Sequence, residues 1–145
     1  GVQTCALPIL FDVSREKFGI LSDLVTQYNR KDALLEFFVN YKMHGSIEQL
    51  EGDYSFGFPY DKLSDIVANK EKAIEKIKEY LEKYWYVGHK NMGWYDIHRA
   101  KEKLCYGYWS FEAGAIAKIL NLDDSNLKDV PYYPYDLVHY KSNSM

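Results

Sequence analysis

The sequence predicts an all-α fold, a compact antiparallel bundle of about five to seven helices. Apolar residues recur at steps of three and four over several stretches, which is the spacing of one face of an α-helix. The links between these stretches are short, which favours antiparallel packing of neighbouring helices. No alternation of apolar and polar residues runs far enough to predict a β-strand. With 145 residues, the chain is long enough for one domain around a single core.

The first two helices are predicted from their caps and from their apolar spacing. Ser14 can cap a helix that runs to about Tyr28. Asp32 can cap the next helix, Ala33 to about Met43, and Gly45 stands where a left-handed C-terminal cap belongs. The predicted apolar stripe of the first helix is Phe18, Leu21, Leu24, Val25 and Tyr28.

The middle of the chain contains one irregular segment and one long amphipathic helix. In residues 46–59 the apolar residues do not recur at helical spacing, and the segment contains glycines and a proline, so we expect a loop there. A helix resumes at about residues 60–68, and residues 70–86 form the clearest helix of the sequence. Its apolar face is predicted to be Ala73, Ile74, Ile77, Leu81 and Trp85.

Three shorter helices are predicted in the C-terminal part. The first covers Tyr95 to Leu104. The second, Tyr108 to Leu120, is apolar almost all round, Trp109 included, and is therefore expected at the centre of the core. Asp123 or Asp124 can cap a short turn, and a last helix is expected from Tyr135 to Tyr140.

Composition excludes several classes of function. The net charge is −3, from 18 basic and 21 acidic residues, and no basic stripe suited to a nucleic-acid backbone is present. The sequence contains no run of 18 apolar residues, so it predicts no membrane span. Two cysteines, Cys5 and Cys105, do not make a disulfide framework, which favours a reducing, cytoplasmic setting.

No convincing catalytic or metal site emerges from the sequence, so we expect no enzyme and no cofactor. The four histidines include no His-x-x-x-His pair, and one cysteine outside the first nine residues cannot supply a structural zinc site. An acid/base set of Asp96, His98 and Glu112 is conceivable, but residues two apart on a helix point to different faces. Glu112 is instead expected to anchor a buried hydrogen bond to a Tyr, Trp or His. The predicted structural cluster of polar and aromatic residues comprises Trp94, Asp96, His98, Tyr108, Trp109 and Glu112.

The irregular segment is the candidate binding surface. Tyrosine and tryptophan dominate the energetics of many interfaces, and 17% of this chain is aromatic. The candidate partner-binding residues combine aromatic rings with carboxylates and are Glu48, Glu51, Asp53, Tyr54, Phe56 and Asp61. The alternative is an ordinary solvated loop.

The first nine residues, GVQTCALPI, resemble one translated reading frame of a common sequencing adapter. We therefore expect residues 1–9 to be a non-native segment from a metagenomic fragment and residues 10–145 to be the domain, with the N-terminal region of the full-length protein missing. Pro8 and the lack of helical spacing predict no helix there. A natural apolar arm is the alternative.

Several stretches from Leu10 onward resemble the C-terminal domain of PoNi-type immunity proteins. The most specific are GYWSFEAGAIAKILNLDDSNL from Gly107 and YYPYDLVHY from Tyr132. Three further stretches support the same resemblance: KDALLEFF from Lys31, FPYDKLSDIV from Phe58 and WYDIH from Trp94.

The resemblance implies a helical bacterial antitoxin without catalytic residues. Members of this family neutralise PoNe-type DNase toxins, polymorphic toxins that bacteria deliver to competitors, often by type VI secretion. The implied partner is a cognate toxin whose active or DNA-binding surface is occluded, with no nucleic acid and no membrane involved. A homo-oligomer stays open, as does the alternative of a helical protein–protein interaction module that has no toxin partner.

Overall fold

The described part of the chain contains helices and no β-strand, which confirms the predicted fold class. The computed structural model describes residues 2–28, 31–48, 50–96, 99 and 108–141, with residues 2–4 described by their backbone alone. Within these ranges every regular element is a helix or helical turn. The α-helices are α1 (Val2–Leu10), α2 (Arg15–Gln27), α3 (Ala33–His44), α4 (Ser64–Ala68), α5 (Ala73–Glu79), α6 (Tyr86–Gly88), α7 (Phe111–Ile119) and α8 (Tyr135–Val138).

Helix α7 lies at the centre of the packing. It packs against α1 and α8, while α3 packs against α1 and α2, and α4 packs against α5. Shorter 3-10 turns at Tyr60–Leu63, Lys70–Lys72 and Ser125–Leu127 connect these helices. No described helix is long and apolar enough to cross a membrane.

The predicted caps of α2 and α3 are confirmed. The Ser14 hydroxyl accepts from the backbone N–H of Lys17 at 3.4 Å. Asp32 Oδ1 accepts from the N–H groups of Leu34 and Leu35, both at 3.0 Å, and thereby satisfies two of the free donors at the start of α3. Gly45 ends α3 with φ of 67°.

The predicted apolar stripe of α2 is only partly buried. Phe18 is in the core, but Leu24 is 46% exposed and Tyr28 75% exposed, as is Ile20 at 67%. Helix α2 makes its main contact with α3 at the edge of the bundle, so only one side of α2 is buried. The interpretation of Leu24 and Tyr28 as core residues is therefore wrong.

The expectation that the first nine residues form no helix is wrong. Residues 2–10 form α1, with Pro8 inside the helix two residues before its end. Apolar side chains of α1 are buried against α7 and α3, namely Cys5, Ala6, Ile9 and Leu10. Burying them offsets the hydrogen bond that proline removes from a helix interior. The Lys118 ammonium group donates to the carbonyl of Leu10 at 2.8 Å and forms an ion pair with Asp12 at 3.1 Å. These two contacts hold the C-terminal end of α1 against α7.

The long amphipathic helix exists, but its hydrogen-bond register changes within it. A π-helical turn occupies Tyr80–Trp85, between α5 and α6. The wider turn brings the adjacent residues Tyr80 and Leu81 into the core together. The apolar spacing predicted Leu81 on the buried face and missed Tyr80.

The central helix begins at Phe111, three residues later than predicted. The backbone N–H of Ser110 donates to the carbonyl of Tyr132 at 2.8 Å. The backbone before Phe111 is therefore bonded to the segment around Tyr132 and does not continue the helix. Trp109 is consequently 46% exposed, and its assignment to the centre of the core is wrong. The helix itself is buried as expected, and Gly114 lies directly beneath Pro134, where a Cβ would approach the Pro134 Cγ to 2.7 Å.

The predicted helix from Tyr95 to Leu104 lies mostly outside the described residues, as do His98 and Cys105. Tyr95 and Asp96 belong to a turn, with φ of 59° at Asp96. The last predicted helix is present as α8 and is shorter than expected.

Candidate functional site

The irregular segment, which we call the acidic loop (residues 46–59), is held to the start of α3 by a buried carboxylate. Asp32 caps α3 with one oxygen, and its Oδ2 accepts from the N–H of Ser55 at 2.9 Å. The backbone N–H of Ala33 donates to the carbonyl of Asp53 at 2.8 Å. Leu50 anchors the loop in the core. The described part of the loop is therefore a fixed surface, although it contains no regular structure.

The end of the acidic loop is seated on α6. The peptide bond between Phe58 and Pro59 is cis, and the Pro59 ring lies against Gly88 so closely that a Cβ there would be 2.6 Å from Pro59 Cδ. The ring of Phe58 meets the ring of Tyr84 edge to face, with centroids 6.0 Å apart. Close backbone approach at Gly88 thus determines where the aromatic end of the loop lies.

The predicted carboxylates are all solvent-exposed, but the structure does not gather all of them at one depression. Glu48, Glu51, Asp53 and Asp61 are exposed. A depression of about 350 Å³ lies between the loop and α4, and its lining consists of Leu50, Glu51, Gly52, Tyr54, Ser64, Asp65 and Ala68. Of the predicted partner-binding residues, only Glu51 and Tyr54 contribute to this lining.

Asp65 is an acidic residue of this depression that the sequence analysis missed. It lies in α4, and its carboxylate is 4.0 Å from the Lys76 ammonium group, a weak and exposed pair. Asp61 and Asp65 are four residues apart within the helix predicted at residues 60–68, so helical spacing could have grouped them.

Tyr54 lies partly buried among these carboxylates. Its hydroxyl is shielded from solvent and has no hydrogen-bond partner among the described residues. The nearby Ser64 hydroxyl donates to the Asp61 carbonyl at 2.9 Å. Burial raises the pKa of the Tyr54 hydroxyl, and the negative charge of Asp61 raises it further. The phenol therefore stays protonated next to these carboxylates.

Glu112 and its hydrogen-bond partners form a polar group that is buried in the core. Glu112 Oε1 accepts from the Tyr80 hydroxyl at 2.9 Å and from the Ser110 hydroxyl at 2.8 Å. Burial raises the pKa of the Glu112 carboxyl, while its own backbone N–H at the start of α7 and these two hydroxyls act in the opposite direction. Glu112 is thus a structural acceptor that joins the long helix to α7, with a tyrosine partner as expected.

His89 is buried next to this group and is held in one tautomer. Its Nδ1 donates to the Trp85 carbonyl, which can only accept, so Nε2 accepts from the Tyr60 hydroxyl at 3.0 Å. With both ring nitrogens engaged in hydrogen bonds, His89 has no free position for a metal.

The predicted structural cluster is assembled only in part. The ring of Trp94 lies 5.6 Å from that of Tyr108, and the ring of Tyr86 lies 5.5 Å from that of Tyr108. The Tyr86 hydroxyl donates to Asp96, which also pairs with Arg99 at 3.5 Å. Trp94, Asp96 and Tyr108 therefore belong to one aromatic cluster.

The remaining members of that prediction lie elsewhere. Glu112 bonds to Tyr80 and Ser110, Trp109 is exposed, and His98 is outside the described residues. Asp96 and Glu112 thus have separate hydrogen-bond partners. The described residues contain no group of three or more His, Cys, Asp or Glu side chains that could hold a metal ion.

The sequence analysis named Asp124 only as a possible cap and did not predict the buried polar group to which it belongs. Asp124 is buried, and its Oδ2 accepts from the Tyr133 hydroxyl at 2.5 Å. Its Oδ1 lies 2.8 Å from His139 Nε2. The three residues are separated by nine and six positions in a segment without periodicity, so spacing alone could not have joined them.

Comparison with known proteins gives one match. The model of the family described as "PoNe immunity proteins (PoNi), C-terminal" matches residues 30–137, which is most of the chain. No curated protein and no solved structure matches the chain.

Proposed function

The chain belongs to the C-terminal family of PoNe immunity proteins (PoNi), and from this we infer that it protects a bacterium by binding a cognate PoNe-type nuclease toxin. The family match over residues 30–137 is the observation that carries this proposal. The protein would act by occlusion, covering the active or DNA-binding surface of the toxin. It would need no catalytic residue of its own.

We propose the acidic loop and the adjoining α4 as the toxin-binding surface. A nuclease must present positive charge to the phosphates of DNA, and carboxylates can occupy the same positions. Glu51 and Asp65 line the depression, and Asp61 stands one helical turn before Asp65. Because Asp32 fixes the loop before binding, little ordering entropy is lost on association. DNase–immunity pairs include some of the tightest complexes known.

The cellular setting follows from the same proposal. An inhibitor of a nuclease that destroys the genome must meet it in the bacterial cytoplasm. The toxin would be one that competitors deliver, for example by type VI secretion.

The experiment compares two quadruple charge reversals of equal net charge. The first carries Glu48→Lys, Glu51→Lys, Asp53→Lys and Asp61→Lys. The control carries Asp23→Lys, Glu71→Lys, Glu75→Lys and Glu82→Lys, four exposed carboxylates that belong to neither the acidic loop nor α4. The ligand is the inactivated nuclease domain encoded beside the gene of an intact relative. Association rates are measured at low and high salt.

We expect the loop variant to associate on the order of 10- to 100-fold more slowly at low salt, because complementary charge accelerates encounter. The wild-type rate should fall with added salt, and the rate of the loop variant should change much less. Equal slowing by the two variants would show that only total charge matters and would remove the loop from the interface.

A further inference from the structure

A second depression, which we call the Trp109 groove, lies in the C-terminal part of the chain. Its volume is about 380 Å³, which is enough for a large side chain. Its lining consists of Trp109, Lys128, Asp129, Tyr133, Pro134, Tyr135, Asp136 and Leu137. None of these residues was among the predicted partner-binding residues.

The lining of the Trp109 groove combines aromatic faces with carboxylates. Trp109 is nearly half exposed, and the carboxylates of Asp129 and Asp136 are exposed as well. Lys128 is the one basic residue of the lining, and its ammonium group lies 5.7 Å from the centre of the Tyr135 ring. The groove thus already contains a cation near one of its aromatic rings, and its lining also includes two carboxylates.

The walls of the groove are fixed by buried contacts beneath them. The Tyr133 hydroxyl donates to the buried Asp124 at 2.5 Å. Pro134 rests on Gly114 of α7, with no space for even a Cβ between them. The Ser110 N–H donates to the Tyr132 carbonyl at 2.8 Å, which links the backbone next to Trp109 to the backbone next to Tyr133. A groove that is formed in advance binds without paying for its own ordering.

We propose that the Trp109 groove receives an arginine side chain from a partner protein. A guanidinium group is planar, stacks on aromatic rings and pairs with carboxylates through several N–H donors, which matches this lining. It would displace Lys128 from the Tyr135 ring and pair with Asp129 or Asp136. The proposal rests on the proposed function, since a nuclease toxin carries basic residues where it contacts DNA.

The first test needs no toxin. The ¹⁵N-labelled protein is titrated with N-acetyl-arginine amide and, separately, with N-acetyl-citrulline amide, which has the same shape without the charge. We expect the indole N–H signal of Trp109 to shift with the arginine compound only, while that of the buried Trp85 stays in place. The double variant Asp129→Asn, Asp136→Asn should weaken this binding several-fold, and Asp23→Asn should leave it unchanged.

Two results of this titration would overturn the proposal. The first is an equal shift with citrulline, which would indicate an unselective apolar groove. The second is a shift of the Trp109 signal that depends on protein concentration without any added compound, which would indicate that a second copy of the chain occupies the groove.

The second test measures toxin affinity. Trp109→Ala should raise the Kd for the inactivated nuclease domain by about 30-fold or more, as for an aromatic residue that anchors an interface. Tyr28→Ala, at an exposed aromatic residue of α2, is the matched control and should change Kd less than about twofold, as expected outside an interface. Circular dichroism checks that both variants are folded.

The two proposals fail in different ways. If the wild type does not bind the toxin, the proposed function fails, and the arginine titration still decides the chemistry of the groove. If the wild type binds and Trp109→Ala binds equally well, the groove is not part of the toxin interface, and this inference is wrong while the proposed function stands.

Discussion

Glu112 is the side chain on which burial and charge conflict most directly. Its carboxyl is fully buried and has a raised pKa because of that burial, yet it accepts hydrogen bonds from Tyr80 and Ser110. A carboxyl whose pKa is higher in the folded than in the unfolded state binds more protons when folded. Its contribution to stability is therefore greatest at acid pH and is lost as pH rises above the usual range of glutamate.

We expect Glu112→Gln to gain stability relative to the wild type as pH rises from 4 to 7. Glutamine keeps an oxygen for both hydroxyls and has no charge to desolvate. Glu112→Ala should lose about 1–3 kcal/mol for each hydroxyl left without an acceptor. Urea unfolding of both variants at several pH values measures this, with the exposed Glu82→Gln as control. A Glu112→Gln variant whose stability difference from the wild type is the same at every pH would contradict the account.

The sequence analysis recognised that Glu112 needs a buried partner, but not which hydroxyls provide it. Tyr80 reaches Glu112 only because the π-helical turn rotates it inward, and α-helical spacing does not predict that turn. Ser110 reaches it because α7 starts at Phe111. Both depend on tertiary packing, which local spacing does not encode.

Among the helices, the capped starts of α2 and α3 were predicted correctly, whereas the existence of α1 and the start of α7 were not. Ser14, Asp32 and Gly45 act as expected because capping depends on the residue and its immediate neighbours. The start of α7 was misplaced because the Ser110 N–H bonds to Tyr132, a residue remote in sequence. Helix α1 was missed because the burial of its apolar residues outweighs the local preference of Pro8.

The packing of α1 against α7 leads to a prediction for two isoleucines. Ile9 is buried between α1 and its neighbours, and Ile20 is two-thirds exposed on α2. We expect Ile9→Ala to lower the free energy of unfolding by about 2–5 kcal/mol, as for other buried isoleucines. Ile20→Ala should change it by less than about 0.5 kcal/mol. Chemical denaturation measures both, and equal effects would mean that α1 does not pack as described. The adapter origin of residues 1–9 stays a prediction that this experiment does not address.

For the whole molecule, the fold class and the family could be predicted from sequence, whereas the shape of the two proposed binding surfaces could not. The acidic loop was found from its composition, but Asp65 joins it only through the placement of α4. The Trp109 groove went unrecognised because Trp109 was assigned to the core. Long-range contacts, namely Asp32 with Ser55 and Ser110 with Tyr132, determine both surfaces.

The central claim is that this helical protein acts by stoichiometric binding and not by turnover. The most direct measurement is a titration of DNA cleavage by the cognate PoNe-type nuclease with the purified protein. We predict that cleavage falls linearly and ends at about one equivalent, as for a tight complex whose Kd lies far below the concentrations used. Cleavage that continues unchanged beyond one equivalent would contradict the claim, as would catalytic inactivation of the nuclease by substoichiometric protein.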